Sequence, residues 1–189
     1  MRSRCRLFSY LPILLGLLLP AQPAVAIDPC SLITRQEAAD ILGEEVQQAR
    51  PGMVNGFAAG LTCTYFTAAP LEIRGGTGSV DLVIHDRETM IDGMYDEPAA
   101  FFDKVLTLGQ QSQPDAVTLL DNLGDRAFWQ AESQRLHLLF GERYFILSIR
   151  DLITMTSDKG QDDLGAKLSA HRRHKCVEAA QRYLLSRTR

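Results

Sequence analysis

The sequence predicts an α+β fold, a mainly antiparallel sheet with helices packed on it. Three observations lead there. Apolar residues recur with helical and strand periods in the order helix, strands, helix, strands, helix. The strand-like runs lie at hairpin-scale spacing, which makes the sheet mainly antiparallel. Residues 143–150 are apolar on both faces, with Tyr144, Ile146 and Ser148 one way and Phe145, Leu147 and Ile149 the other. That is the pattern of a central strand covered on both sides.

The first helix follows a capping box. The Thr34 hydroxyl can take one free amide, and Glu37 can reach back to another. Ala38, Ile41 and Leu42 supply its apolar face, and Gly43 ends it as a left-handed cap. A short strand is expected over 44–49. Pro51, Gly52, Asn55, Gly56 and Gly60 mark 51–60 as a loop. Strands are expected at 61–67 and 80–85, separated by a turn at Gly75-Gly76-Thr77-Gly78. Residues 88–96 read as a ragged helical turn. Pro98 opens a better helix, buried through Phe101, Phe102, Val105 and Leu106 and closed by Gly109. Further strands are expected at 116–120, 126–131, 134–140 and 143–150. A long final helix over 162–186 carries Leu164, Leu168, Val177, Ala180 and Leu184. The repeated order raises a degenerate duplication of a helix-plus-strands unit.

Residues 1–26 read as a secretory signal peptide: Arg2, Arg4 and Arg6, an apolar stretch from Leu7 to Pro20, then Ala24-Val25-Ala26 as a small-x-small cleavage site. The apolar run is shorter than the roughly 20 residues that span a bilayer. Cys5 precedes the apolar core, where it cannot serve as a lipid-attachment cysteine. Residues 27–189 then form one domain, expected in the periplasm or outside the cell, with no transmembrane helix in the mature chain.

The whole chain carries a formal charge of −3, and losing the three signal arginines leaves −6, which argues against general nucleic-acid binding. From Lys167 onward the chain is strongly basic. Arg172, Arg173 and Lys175 are the candidate binding residues there, for an anionic partner or for the acidic body itself.

Cleavage leaves Cys30, Cys63 and Cys176, and export exposes them to oxidising conditions. Three pairings are open. Cys30 with Cys63 is favoured, because one precedes a helix and the other lies in a strand, so the bond staples helix to sheet. Cys176 is then a small buried apolar residue or a reactive thiol.

Other constellations lead to no cofactor. His171 and His174 are three apart on the final helix with Cys176 nearby, but Arg172, Arg173 and Lys175 repel a cation. Asp158, Asp162 and Asp163 lack the alternation of a calcium loop and suit a helix cap. Gly75-Gly76-Thr77-Gly78 lacks the Lys-Ser/Thr of a phosphate loop. Trp129 and Phe128 read as core or sheet-face residues, and no Gly-x-Ser-x-Gly elbow occurs.

Asp28-Pro29-Cys30-Ser31-Leu32-Ile33-Thr34, Glu37-Ala38, Leu42-Gly43, Cys63-Thr64-Tyr65 and Leu123-Gly124-Asp125-Arg126-Ala127-Phe128-Trp129 run through most of the mature chain. With them the chain resembles a group of bacterial cell-envelope proteins, exported α+β domains of unknown function, many of them lipoproteins. The resemblance implies export, this fold and the Cys30–Cys63 pairing, and no activity. The functional expectation is a non-enzymatic exported module that binds an envelope protein or a small ligand. The alternatives are an enzyme built from scattered residues, with His85, Asp86 and Glu88 as candidates, and a structural envelope protein docked through its basic C-terminal helix.

Overall fold

The computed structural model describes residues 27–54, 60–68, 77–90, 97–151 and 161–188. The expected signal peptide (1–26), the Gly75-Gly76 half of the expected turn, positions 91–96 of the expected ragged turn, Asp158 and the side chains of Asp162 and Asp163 lie outside the described residues.

A one-turn helix α1 (Pro29–Leu32) leads into α2 (Arg35–Leu42). The expected capping box is present: Thr34 accepts from the Glu37 amide, and the Glu37 carboxylate accepts from Thr34 N at 2.8 Å. Gly43 has φ 72°, the left-handed conformation that ends the helix. Cys30 lies inside α1 rather than before a helix, because the Asp28 side chain accepts from Cys30 N and starts an extra turn.

The strands are β1 (Arg50–Val54), β2 (Gly60–Phe66), β3 (Ser79–His85), β4 (Val117–Leu120), β5 (Arg126–Gln130), β6 (Arg135–Phe140) and β7 (Arg143–Arg150). They form one seven-stranded sheet in the order β1-β2-β3-β7-β6-β5-β4, antiparallel throughout. Two meanders, β1–β3 and β4–β7, meet where their last strands pair, and β7 is central as its two-sided pattern requires.

Three expectations change. The strand expected at 44–49 is a single bridge from Val46 to Thr67, and the pairing strand begins at Arg50 instead. Pro51 and Gly52 are admitted because β1 is an edge strand. A Cβ on Gly52 would sit 2.7 Å from Thr62 Oγ1, so its bareness lets the strands approach. The helix α3 (Pro98–Ser112) also runs past Gly109. That residue is buried in the last turn of the helix, where a Cβ would lie 3.0 Å from Val117, so it marks a close approach to β4 and not a stop. The buried stripe of the final helix begins later than expected. This helix, α4 (Gln161–Ala179), continues through a π turn (Ala180–Leu184) to Arg187. Cys176, Ala179, Ala180, Tyr183 and Leu184 enter the core, whereas Leu164 and Leu168 are half-buried.

Helices cover the two sheet faces unequally. α1, α2 and α4 lie on the first face, over β2, β3, β6 and β7. There Cys63, Val80, Leu82, Ile84, Leu136, Leu138, Phe145, Leu147 and Ile149 make the main core, with Trp129 beneath α4. The Cys30–Cys63 disulfide joins α1 to β2 with Cα atoms 5.2 Å apart, and Tyr65 Oη donates to Ile33 O at 2.7 Å beside it. On the second face α3 lies over β4, β6 and β7, packing Phe102 against Phe128, Leu139 and Tyr144. The leading helices of the two meanders therefore lie on opposite faces. No described helix is long and apolar enough to cross a membrane.

Candidate functional site

Where α3 ends its cover, the second face of β2, β3 and β7 is left as a trough of about 400 Å³. Strand alternation decides its chemistry. The same strands that send Cys63, Leu82 and Leu147 into the core send polar residues the other way. Register aligns them into a transverse row: Arg50 opposite Thr64, Thr64 opposite Asp81, and Asp81 opposite Ser148. Leu136 pairs with Leu147, which sets Arg135 beside Ser148 at the other end of the row. Arg150 follows on the same face of β7, opposite Ser79.

Asp81 is held in place: its two oxygens accept from Thr64 Oγ1 at 2.9 Å and Ser79 Oγ at 2.8 Å. The Arg135 and Arg150 side chains are exposed and make no hydrogen bond or ion pair among the described residues. By contrast Arg35, Arg87, Arg126, Arg172 and Arg187 are all hydrogen-bonded within the chain. Val83 and Ile146 give the trough an apolar strip, and Phe101 of α3 makes one wall. The Arg50 guanidinium stacks 5.0 Å over Phe66 at the outer edge.

His85 closes the trough toward α3. It is 3% exposed, its ring stacked 5.3 Å from Tyr144 and edge-on to Phe101 at 5.0 Å. A Cβ on Gly60 would lie 2.7 Å from His85 Nδ1, so the glycine opposite makes room for the ring. Behind it, deeper under α3, His137 is 2% exposed and stacks on Phe128 at 4.3 Å. Its Nδ1 is 2.6 Å from Tyr144 Oη, and its Nε2 has no partner among the described residues. Burial first, then the nearby Arg135 charge and His85, push His137 down to about 3. Burial raises Tyr144 in turn. Both are therefore neutral across the physiological range.

Of the residues singled out in the sequence as a possible catalytic cluster, His85 reaches the trough. Asp86 is tied into a turn, its side chain accepting from Thr89 N at 2.9 Å, and Glu88 is exposed.

The C-terminal basic residues are spent largely within the molecule. Lys175 Nζ lies 2.9 Å from Asp151 Oδ2 and donates to Ile41 O at 3.0 Å. Arg172 binds Asp151 and the Gln134 side-chain oxygen, and His171 Nε2 is 2.8 Å from Asp151. Arg187 forks onto Glu37. Arg173 is half-buried on the rim of a wide hollow of about 680 Å³ beside Trp129, without an ion pair among the described residues. Cys176 is buried, with Sγ 3.8 Å from Leu147 O, while His174 is exposed. The two histidines and the cysteine thus do not converge, and no described group of three His, Cys, Asp or Glu could hold a metal ion.

Sequence reading passed over Arg135, Arg150, Asp81 and Thr64. The signal was present in part: Ser79 and Asp81 in β3, and Ser148 and Arg150 in β7, occupy alternate positions of otherwise apolar strands. Which of these faces stays open depends on where α3 ends. Comparison with known proteins returns no match, neither a family model, nor a curated protein, nor a solved structure.

Proposed function

We propose that the domain is a non-enzymatic module, exported by residues 1–26, that binds a small ligand in the trough on the second face. The observation carrying this reading is the unequal cover of the sheet. One face is roofed by α1, α2 and α4, while no described helix covers the register-aligned polar row on the other. A volume of about 400 Å³ lies within the usual range of small-molecule sites. The Cys30–Cys63 bond fits an oxidising compartment, and the resemblance to exported cell-envelope domains points the same way. The placement of Asp86 and Glu88 away from the trough favours binding over chemistry.

Docking through the basic helix draws less support, since Arg172 and Lys175 already serve Asp151. The exposed large apolar side chains among the described residues are Leu108 and Leu119, on different elements, which is little for a protein-docking patch.

The test uses the mature protein purified without denaturation, whose N-terminus should be Ile27 by intact mass. A small-molecule extract of its native compartment should raise its melting temperature. Val83→Trp, which fills the trough from its floor, should abolish the rise. An extract that shifts parent and V83W alike would refute the assignment.

A further inference from the structure

We infer that the trough takes an organic anion: a molecule with one carboxylate or phosphate clamped by Arg135 and Arg150, and an apolar part lying on Val83, Ile146 and Phe101. This rests on the trough being the binding site.

The two guanidiniums come from neighbouring strands. Arg135 stands beside Ser148 and Arg150 two residues further along the same face, so they are diagonal neighbours within reach of one another for long side chains. Like charges so placed repel, and no described carboxylate pairs with either. A bound anion turns that repulsion into attraction. Two planar forks suit a carboxylate or phosphate better than ammonium groups would, because each can donate in parallel to two oxygens.

Ser148 lies between them. It is 5% exposed, its hydroxyl makes no hydrogen bond among the described residues, and that hydroxyl can donate to the same group. Asp81 sits one strand further across. Its oxygens are already engaged by Thr64 and Ser79, and its charge repels an anionic head. The head is therefore kept at the Arg135–Arg150 end. What remains for the rest of the ligand is the strip of Val83 and Ile146 running to the Phe101 wall, which is apolar. The site thus reads a head and a body separately. The mature chain is acidic overall, so the attraction is local to this end of the trough and not a property of net charge.

The experiment is an NMR titration of the mature protein with hexanoate, hexyl phosphate, inorganic phosphate, hexylamine and hexanol. Hexanoate or hexyl phosphate should perturb the amides of β3 and β7 around Asp81 and Ser148. Hexylamine and hexanol should bind at least about tenfold more weakly, since they lose the charge-assisted bonds. Inorganic phosphate should bind more weakly than hexyl phosphate, having no body for the apolar strip. Arg135→Gln and Arg150→Gln should each weaken hexanoate binding about tenfold, with the ligand-free thermal melt unchanged or slightly raised, because neither side chain supports the fold and each substitution relieves a repulsion. Hexylamine or hexanol binding as tightly as hexanoate at these amides would overturn the anion inference and leave the trough as a binding site. Hexanoate binding that R135Q and R150Q leave unchanged, or no perturbation by any anion, would also overturn it. Loss of all trough perturbation while the compartment extract still stabilises V83W would bring down both readings.

Discussion

The Lys175 ammonium stands 2.9 Å from the Asp151 carboxylate, where α4 crosses the end of β7. Asp151 has 4% of its side-chain surface exposed and also receives His171 and Arg172, so one buried acid gathers three basic residues of the last helix. Burial alone would raise its pKa. Hydrogen bonds from Lys175 and His171 outweigh that, and the net shift is downward from 3.8. A depressed carboxyl contributes stability that is complete above its unfolded value and is lost as pH falls through the folded one. Asp151→Asn should cost about 3 kcal/mol near neutral pH, because it strands partly buried cations. Arg173→Ala should change stability by no more than about 0.5 kcal/mol. Urea melts of the two variants check this, and equal effects would mean that Asp151 does not anchor the helix.

A second acid-sensitive element lies under α3. His137 has an ordinary value of 6.5 and a folded value of about 3. Between those values the unfolded chain binds a proton that the folded chain does not. Stability is therefore complete above about pH 6.5 and declines toward pH 3, by about 1.4 kcal/mol per pH unit. His137→Phe keeps a ring stacked on Phe128 and removes the titration. Its stability should be flatter than the parent's across that window in denaturant melts at stepped pH. A parent and variant with the same acid slope would show that His137 charges without cost.

The cysteines make a third prediction. Non-reducing peptide mapping should link Cys30 to Cys63 and leave Cys176 unlinked. Closing a loop with a sequence separation of 33 is worth about 3–4 kcal/mol in the chain-entropy account, and reduction should cost about that much. Burial pushes the Cys176 thiol up to about 12, and the thiolate is the reactive form. Iodoacetamide should therefore spare Cys176 in the native protein and modify it once the chain is unfolded. Rapid native labelling would contradict its burial.

The final helix is held through its C-terminal half. Leu184 is buried in the main core, in the π turn, whereas Leu168 is half-buried one turn before His171. Leu184→Ala should cost about 2–4 kcal/mol and Leu168→Ala less than about 1 kcal/mol. Thermal melts decide, and the reverse order would mean that the helix docks through its first half.

What could be read directly from the sequence was local. The Thr34–Glu37 capping box and the left-handed Gly43 fix α2 through contacts three to four residues apart, and the structure has them as expected. The two-sided apolar pattern of 143–150 placed β7 at the centre of an antiparallel sheet, because a strand alternates its faces wherever it lies. The staple between Cys30 and Cys63 was legible as one of three pairings.

The rest is decided by what each segment meets. Pro51 and Gly52 look like a loop until the chain leaves them at an edge, where the missing amide and side chain cost little. Gly109 looks like a helix end until β4 lies against it, where an added Cβ would press on the Val117 side chain. Arg172 and Lys175 could face an anionic partner or the acidic body, and it is Asp151, carried beneath them at the end of β7, that engages them. The trough is the strongest case. Arg135, Ser148, Asp81 and Thr64 come from four strands, and no local pattern joins them. They become a row through strand register and become accessible through the extent of α3, both of which are properties of the folded sheet.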